Sequence, residues 1–102
     1  MIQITTVYSR LASSTTFMDT AVSRVDVDTH INSTYRATNQ LISEVSVLSM
    51  DKLSLSYTAV WDTQAHYDVF KADPIMVAYW ALINAYRHAN GITHTLPHIV
   101  TI

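Results

Sequence analysis

Residues 73 to 91 read "DPIMVAYWALINAYRHANG", and no other stretch constrains the fold as tightly. An aspartate followed by proline is a helix start: Asp73 can accept from first-turn amides, and Pro74 gives up no hydrogen bond at the first helical position. Gly91, the one glycine of the chain, stands where a helix commonly needs a left-handed residue, and Ile92 can close the hydrophobic contact behind it. The spacing predicts a helix from Pro74 to Asn90. Between Pro74 and Ile83 it carries no charged or amide side chain on any face. A surface helix normally keeps a polar stripe for water, so this one needs apolar cover on more than one side.

The rest of the chain supplies a sheet for it. "IQITTVYS" (2–9) alternates as a strand, and "RLASSTT" (10–16) reads as a loop. From Phe17 to about Tyr35 the apolar residues fall within half a helical wheel, which predicts a helix capped by Thr15 or Thr16. The β-branched residues and aspartates from Val25 to Thr29 predict a break in it. "NQLISEVSVLSMDKLSLSYTAVW" (39–61) reads as an antiparallel hairpin turning around Met50, Asp51 and Lys52. In it Leu41, Val45 and Val47 are expected on one face. Leu53, Leu55, Tyr57, Ala59 and Trp61 alternate with Ser54, Ser56, Thr58 and Val60. Asp62 is placed to cap a short helix, "TQAHYDVFKA", with Ala65, Val69 and Phe70 inward. "ITHTLPHIVTI" resumes an extended pattern in which Pro97 suits an edge strand or a bend.

The order β-α-β-β-α-α-β over a single domain, 1–102, predicts a ferredoxin-like α+β fold: four antiparallel strands with helices on one face. The second face would then show Ser54, Ser56, Thr58 and Val60. A face built for water usually carries Lys, Glu or Arg, so this one is read as packing on a second copy of itself. The long helix is expected to leave residues such as Tyr79, Trp80 or Ile83 for a partner to cover. The expected partner is thus another copy of the chain, a homodimer joined through the sheet face and the long helix.

Composition excludes several function classes. Charged residues are 14% of the chain, against about 25% in ordinary globular proteins. With a net charge of −2 and only 6 scattered Lys and Arg, no basic patch is available, so nucleic acid and anionic membrane are not expected partners. There is no cysteine for disulfides, thiolate zinc sites or thiol catalysis. The amino terminus lacks the plan of a secretion signal. The longest apolar run, Ile75 to Ile83, is 9 residues, far short of the ~20 that span a bilayer. A cytoplasmic location is expected.

The stretch "LSLSYTAVWDTQAHYDVFKADP" pairs an alternating strand ending in an aromatic with a capped turn, a short helix and a small-Asp-Pro junction; "AYRHANGI" closes the long helix. In this pattern the chain resembles the dimeric α+β-barrel superfamily, which includes the antibiotic-biosynthesis-monooxygenase-like proteins. It also resembles short proteins of marine bacteriophages, which would place it in a host cytoplasm. The superfamily resemblance implies two sheets packed face to face across a dimer, and a cleft between sheet and helices near Trp61. The family's enzymes often carry His or Trp nine residues after that aromatic, where this chain has Phe70. The heme-degrading members would need a first-strand Asn and a His where Trp80 stands, so heme and other cofactors are not expected.

Among residues able to carry chemistry, His66, five after Trp61, is the candidate general base. Tyr57 and Tyr8 can offer hydroxyls to a cleft, and Arg87 can hold a carboxylate or complement the helix dipole. Trp61, Phe70, Tyr8 and Arg87 form the candidate ligand-binding set, with His66, Tyr57 and Trp61 as catalytic candidates. No metal is expected. In extended chain His94 and His98 stand ~13 Å apart, and Asp26 and Asp28 make at most a loose pair. Three readings of function remain: a structural or small-ligand-binding accessory protein, a cofactor-independent monooxygenase-like enzyme acting on a small apolar or aromatic molecule, and a subunit of a larger assembly such as a virion, which would show a second exposed apolar patch away from the dimer seam.

Overall fold

Strand β1 (Ile2–Ser9) runs through the middle of an antiparallel sheet in the computed structural model, which describes residues 1–102. It pairs along its whole length with β3 (Ser54–Trp61), from Ile2 opposite Trp61 to Ser9 opposite Ser54. β3 pairs in turn with β2 (Leu41–Leu48). The far edge of β1 is shared end to end by β4 (Thr93–His94) and β5 (His98–Thr101), so five strands fill four lanes where four strands are expected. Pro97 lies in the gap, where it owes the ladder no donor. Thr95 patches the interruption: its amide donates to the Val7 carbonyl at 3.0 Å, and its hydroxyl accepts from the Val7 amide at 3.1 Å.

Helices α1 (Val25–Ile31), α2 (Gln64–Ala72) and α3 (Pro74–Ala89) cover one face. The core sits there, with Ile2, Ile4, Ala59 and Trp61 from the sheet under Val27, Ile31, Tyr67, Met76, Tyr79 and Ile83. α3 starts and stops where its sequence says it should. Asp73 accepts the Ile75 amide at 3.0 Å, Pro74 opens the first turn, and Gly91 takes φ 70°. The Ile92 amide then returns to the Arg87 carbonyl at 2.9 Å, and the buried Ile92 closes the C-terminal motif.

Several expectations are corrected. The first helix begins at Val25 rather than Phe17. Asp19 accepts the Ala21 amide at 2.9 Å and Ser23 the Val25 amide at 3.3 Å, and such side-chain bonds hold residues 17–24 in turns. Thr16 caps nothing, since its hydroxyl bonds the Met18 carbonyl. The expected break is the helix itself: Asp26 and Asp28 occupy its first turn, where carboxylates complement the dipole. It continues into one wide π-turn, Asn32–Arg36, that carries the buried Tyr35.

In β2 a bulge between Leu41 and Ser43 reverses the facing of everything after it. Leu41 stays on the core side, but Val45 and Val47 join Thr58 and Ser56 on the open face, 56% and 60% exposed. Glu44 and Ser46 turn to the helices instead. In α2 the cap is Thr63, not Asp62, and Tyr67 and Phe70 face inward while Ala65 and Val69 are exposed. In α3 Tyr79 and Ile83 are buried by their own chain and Trp80 is half-buried. The residues left outside are Ile75, Val77 and Leu82, on the side away from the sheet.

Candidate functional site

Between the sheet and the helix layer lies a cavity of about 390 Å³, with 15 hydrophobic residues among the 22 that line it. The alternation of β1 and β3 sends Thr6, Tyr8, Tyr57 and Trp61 into it from below, because these positions share the face that the helices cover. The helices close it from above with Phe70, Tyr79 and Trp80. Its wall is a chain of aromatic contacts: Trp61 and Phe70 have ring centroids 4.8 Å apart, and Phe70 meets Trp80 edge to face at 5.2 Å. Tyr35 stands behind them, edge-on to Phe70 at 5.0 Å.

Five of the sequence candidates meet here. Tyr8, Tyr57, Trp61, Phe70 and Arg87 all line the cavity. Arg87 lies over the Tyr8 ring at 4.3 Å and donates to the Phe17 carbonyl at 3.2 Å, so it ties the 17–24 segment to α3. His66 does not line the cavity. It sits in the first turn of α2 with Nδ1 held 2.9 Å from both carboxylate oxygens of Asp62, on the partly exposed outer side. His94 and His98 are separated by the pleat: His94 pairs with Tyr8 on the helix side and His98 with Thr5 on the open side. No three acidic or histidine side chains are arranged around a common point.

Polar groups that the sequence did not single out complete the site. Glu44, the only glutamate in the chain, reaches the cavity because of the β2 bulge. Tyr57 donates to one of its oxygens and Arg36 to the other. Burial, and then this bond to Glu44, push the Tyr57 hydroxyl well above its ordinary pKa, so it remains a donor and is no base at neutral pH. Arg24, at the start of α1, bonds Asp28 at 2.9 Å and has its guanidinium 5.8 Å from the Tyr79 ring centroid. Tyr79 is 7% exposed, and its Oη is buried without any hydrogen-bond partner. Burial raises its pKa, and the nearby Arg24 works in the opposite direction. The cavity therefore offers aromatic surface, donors and positive charge. Its one carboxylate has both oxygens engaged.

Comparison with known proteins bears on the fold. A protein from Deinococcus radiodurans, provisionally named an antibiotic biosynthesis monooxygenase, superposes with a TM-score of 0.60. The match covers 100% of this chain and 92% of that one, at 10% sequence identity. The chain has a ferredoxin-like α+β fold, the architecture of that protein. At this identity the likeness speaks for architecture, since one fold hosts many chemistries. The neighbour is bacterial and lends no support to a bacteriophage source. No family profile matches the chain, and no curated protein matches it in sequence. No helix is long and apolar enough to cross a membrane.

Proposed function

We propose that the chain is a homodimeric, small-ligand-binding accessory protein whose ligand occupies the sheet–helix cavity. The observation that carries this reading is the cavity itself. It is apolar, aromatic-walled, within the 300–1,000 Å³ range of small-molecule sites, and supplied with a few convergent polar groups. A core of this size normally packs without such a space. The open face of the sheet supports the dimer: Thr5, Val7, Val45, Val47, Thr58 and Val60 lie on it with no Lys, Arg, Asp or Glu among the paired residues, and His98 is its one ionisable side chain.

The other reading, a cofactor-independent oxygenase, shares the cavity and the fold. It needs a group that takes a proton from the bound molecule, and the cavity has none free: His66 is outside, Glu44 is doubly engaged and Tyr57 is held as a donor. That arrangement favours binding over turnover.

Both tryptophans of the chain line the cavity, so their fluorescence reports on its contents. Titration with 4-bromobenzyl alcohol, an apolar heavy-atom quencher, is expected to give saturable quenching. Ala59→Phe, which fills the cavity floor, is expected to abolish it in protein that still melts cooperatively. Quenching that rises linearly without saturation, alike in both proteins, contradicts the proposal.

A further inference from the structure

Positive charge is gathered at the cavity out of proportion to the chain. Three of the six Lys and Arg side chains line it (Arg24, Lys71 and Arg87), against one of the eight carboxylates; Arg24 and Lys71 are paired with Asp28 and Asp68 outside the lining, and Arg87 has no carboxylate partner. The chain as a whole carries −2, so composition alone would place more acids than bases there. The single acid, Glu44, has one oxygen bonded by Tyr57 and the other by Arg36. Arg24 gives one amino group to Asp28, and its half-exposed guanidinium keeps N–H groups for a further acceptor. Within the field of Arg24 and Arg87 lies the Tyr79 hydroxyl, buried, with no hydrogen bond of good geometry and the Arg24 guanidinium as its polar neighbour. A buried hydroxyl left alone is destabilising and uncommon in native proteins. A ligand oxygen placed there would complete it.

From this charge asymmetry and the orphaned Tyr79 hydroxyl we infer that the cavity's ligand is an apolar carboxylate. Its charged oxygens meet Tyr79 Oη and the arginine donors, and its hydrophobic body lies against Trp61, Phe70 and Trp80. The inference rests on the reading of the cavity as a ligand site and adds the chemical class of what fills it. The aromatic wall gives contact area to any apolar molecule of the right size. The polar end discriminates, because charge-assisted bonds are about twice as strong as neutral ones.

The test is a fluorescence titration of the full chain at pH 7 with 4-phenylbutyrate and with its neutral isostere 4-phenylbutanamide. The acid is expected to bind about tenfold tighter or more, the factor that one charge-assisted bond supplies. Arg24→Met is expected to remove most of that preference, whereas Lys52→Met, the same charge loss on the β2–β3 turn, leaves it intact. Tyr79→Phe is expected to weaken the acid severalfold while raising the melting temperature of the ligand-free protein. A merely structural tyrosine would not show both effects. Equal binding of acid and amide, or unchanged acid affinity in Tyr79→Phe, overturns the inference and leaves the cavity reading standing. Absence of binding by either compound, together with unsaturable quenching by 4-bromobenzyl alcohol, overturns both.

Discussion

Asp73 does three things at once. It caps α3 through the Ile75 amide, accepts the Tyr35 hydroxyl at 2.5 Å and accepts from His30 at 2.6 Å. Burial raises its pKa, but the bonds from His30, Tyr35 and Ile75 outweigh that and leave it below the ordinary 3.8. Burial and the same contact push Tyr35 up to about 12. Because the Asp73 carboxyl is more acidic folded than unfolded, its contribution is complete above the ordinary carboxylate range. It is lost as pH falls through the folded value, below 3.8. Asp73→Asn keeps a capping oxygen yet should cost about 1–3 kcal/mol at pH 7, read by urea titration. The variant's acid unfolding should also be flatter below pH 4 than the wild type's. Tyr79→Phe has the opposite sign: removing an unsatisfied hydroxyl should stabilise the ligand-free protein by about 1–3 kcal/mol. The Asp-Pro junction was legible in the sequence as a cap. The bonds from Tyr35 and His30 were not, because they join residues some forty positions apart.

At the level of elements, local chemistry explains what the sequence discloses. The strands of β1 and β3 follow their alternation, and α3 is bounded by Asp73, Pro74 and Gly91 as read. Gly91→Ala should cost about 1–2 kcal/mol by forcing a side chain into the left-handed region. Leu11, whose Cδ1 lies 3.0 Å from the added carbon, is exposed and can move aside. Thr63→Ala should cost about 1 kcal/mol through loss of the α2 cap. Both are measured by thermal or urea unfolding. What stayed hidden was decided at a distance. Nothing in "LISEVSVL" marks the bulge at Ile42, and that one extra residue moves Glu44 into the cavity and Val45 and Val47 out of the core. Likewise Arg24 reads as one more polar residue on a helix until α1 is seen to start beside it. Tyr8 and Tyr57 were found from their strands, Trp61 and Phe70 at the cleft through the family resemblance, and Arg87 as a cation late in α3. Arg24, Glu44, Lys71, Tyr79 and Trp80 needed the tertiary structure.

For the whole molecule, the open face of the sheet is the largest unbalanced feature. Four lanes about 4.8 Å apart and about 26 Å long offer about 500 Å² of projected face per copy. Two copies together reach the ~1,000 Å² at which a specific interface becomes credible. The bulge strengthens this case by adding Val45 and Val47 to the small hydroxyl residues. It does not extend to α3, whose outer residues Ile75, Val77 and Leu82 lie on the opposite side and are interspersed with alanines. One sheet-to-sheet contact cannot cover both sides. The apolar start of α3 is therefore explained chiefly by its own core, through Met76, Tyr79 and Ile83. Replacing Val45 and Val47 with lysine places four like charges in the proposed seam and should yield a folded monomer by light scattering. Leu82→Lys should leave the dimer unchanged.

The central claim, a dimer whose subunits each hold a small molecule, is tested most directly by native mass spectrometry of freshly purified protein at low micromolar concentration. A species at twice the 11.5 kDa of one chain is expected, carrying on each subunit an added mass that is lost on denaturation. After stripping, 4-phenylbutyrate should restore an adduct. A bare monomer that persists as concentration rises, and takes up no added ligand, would contradict it.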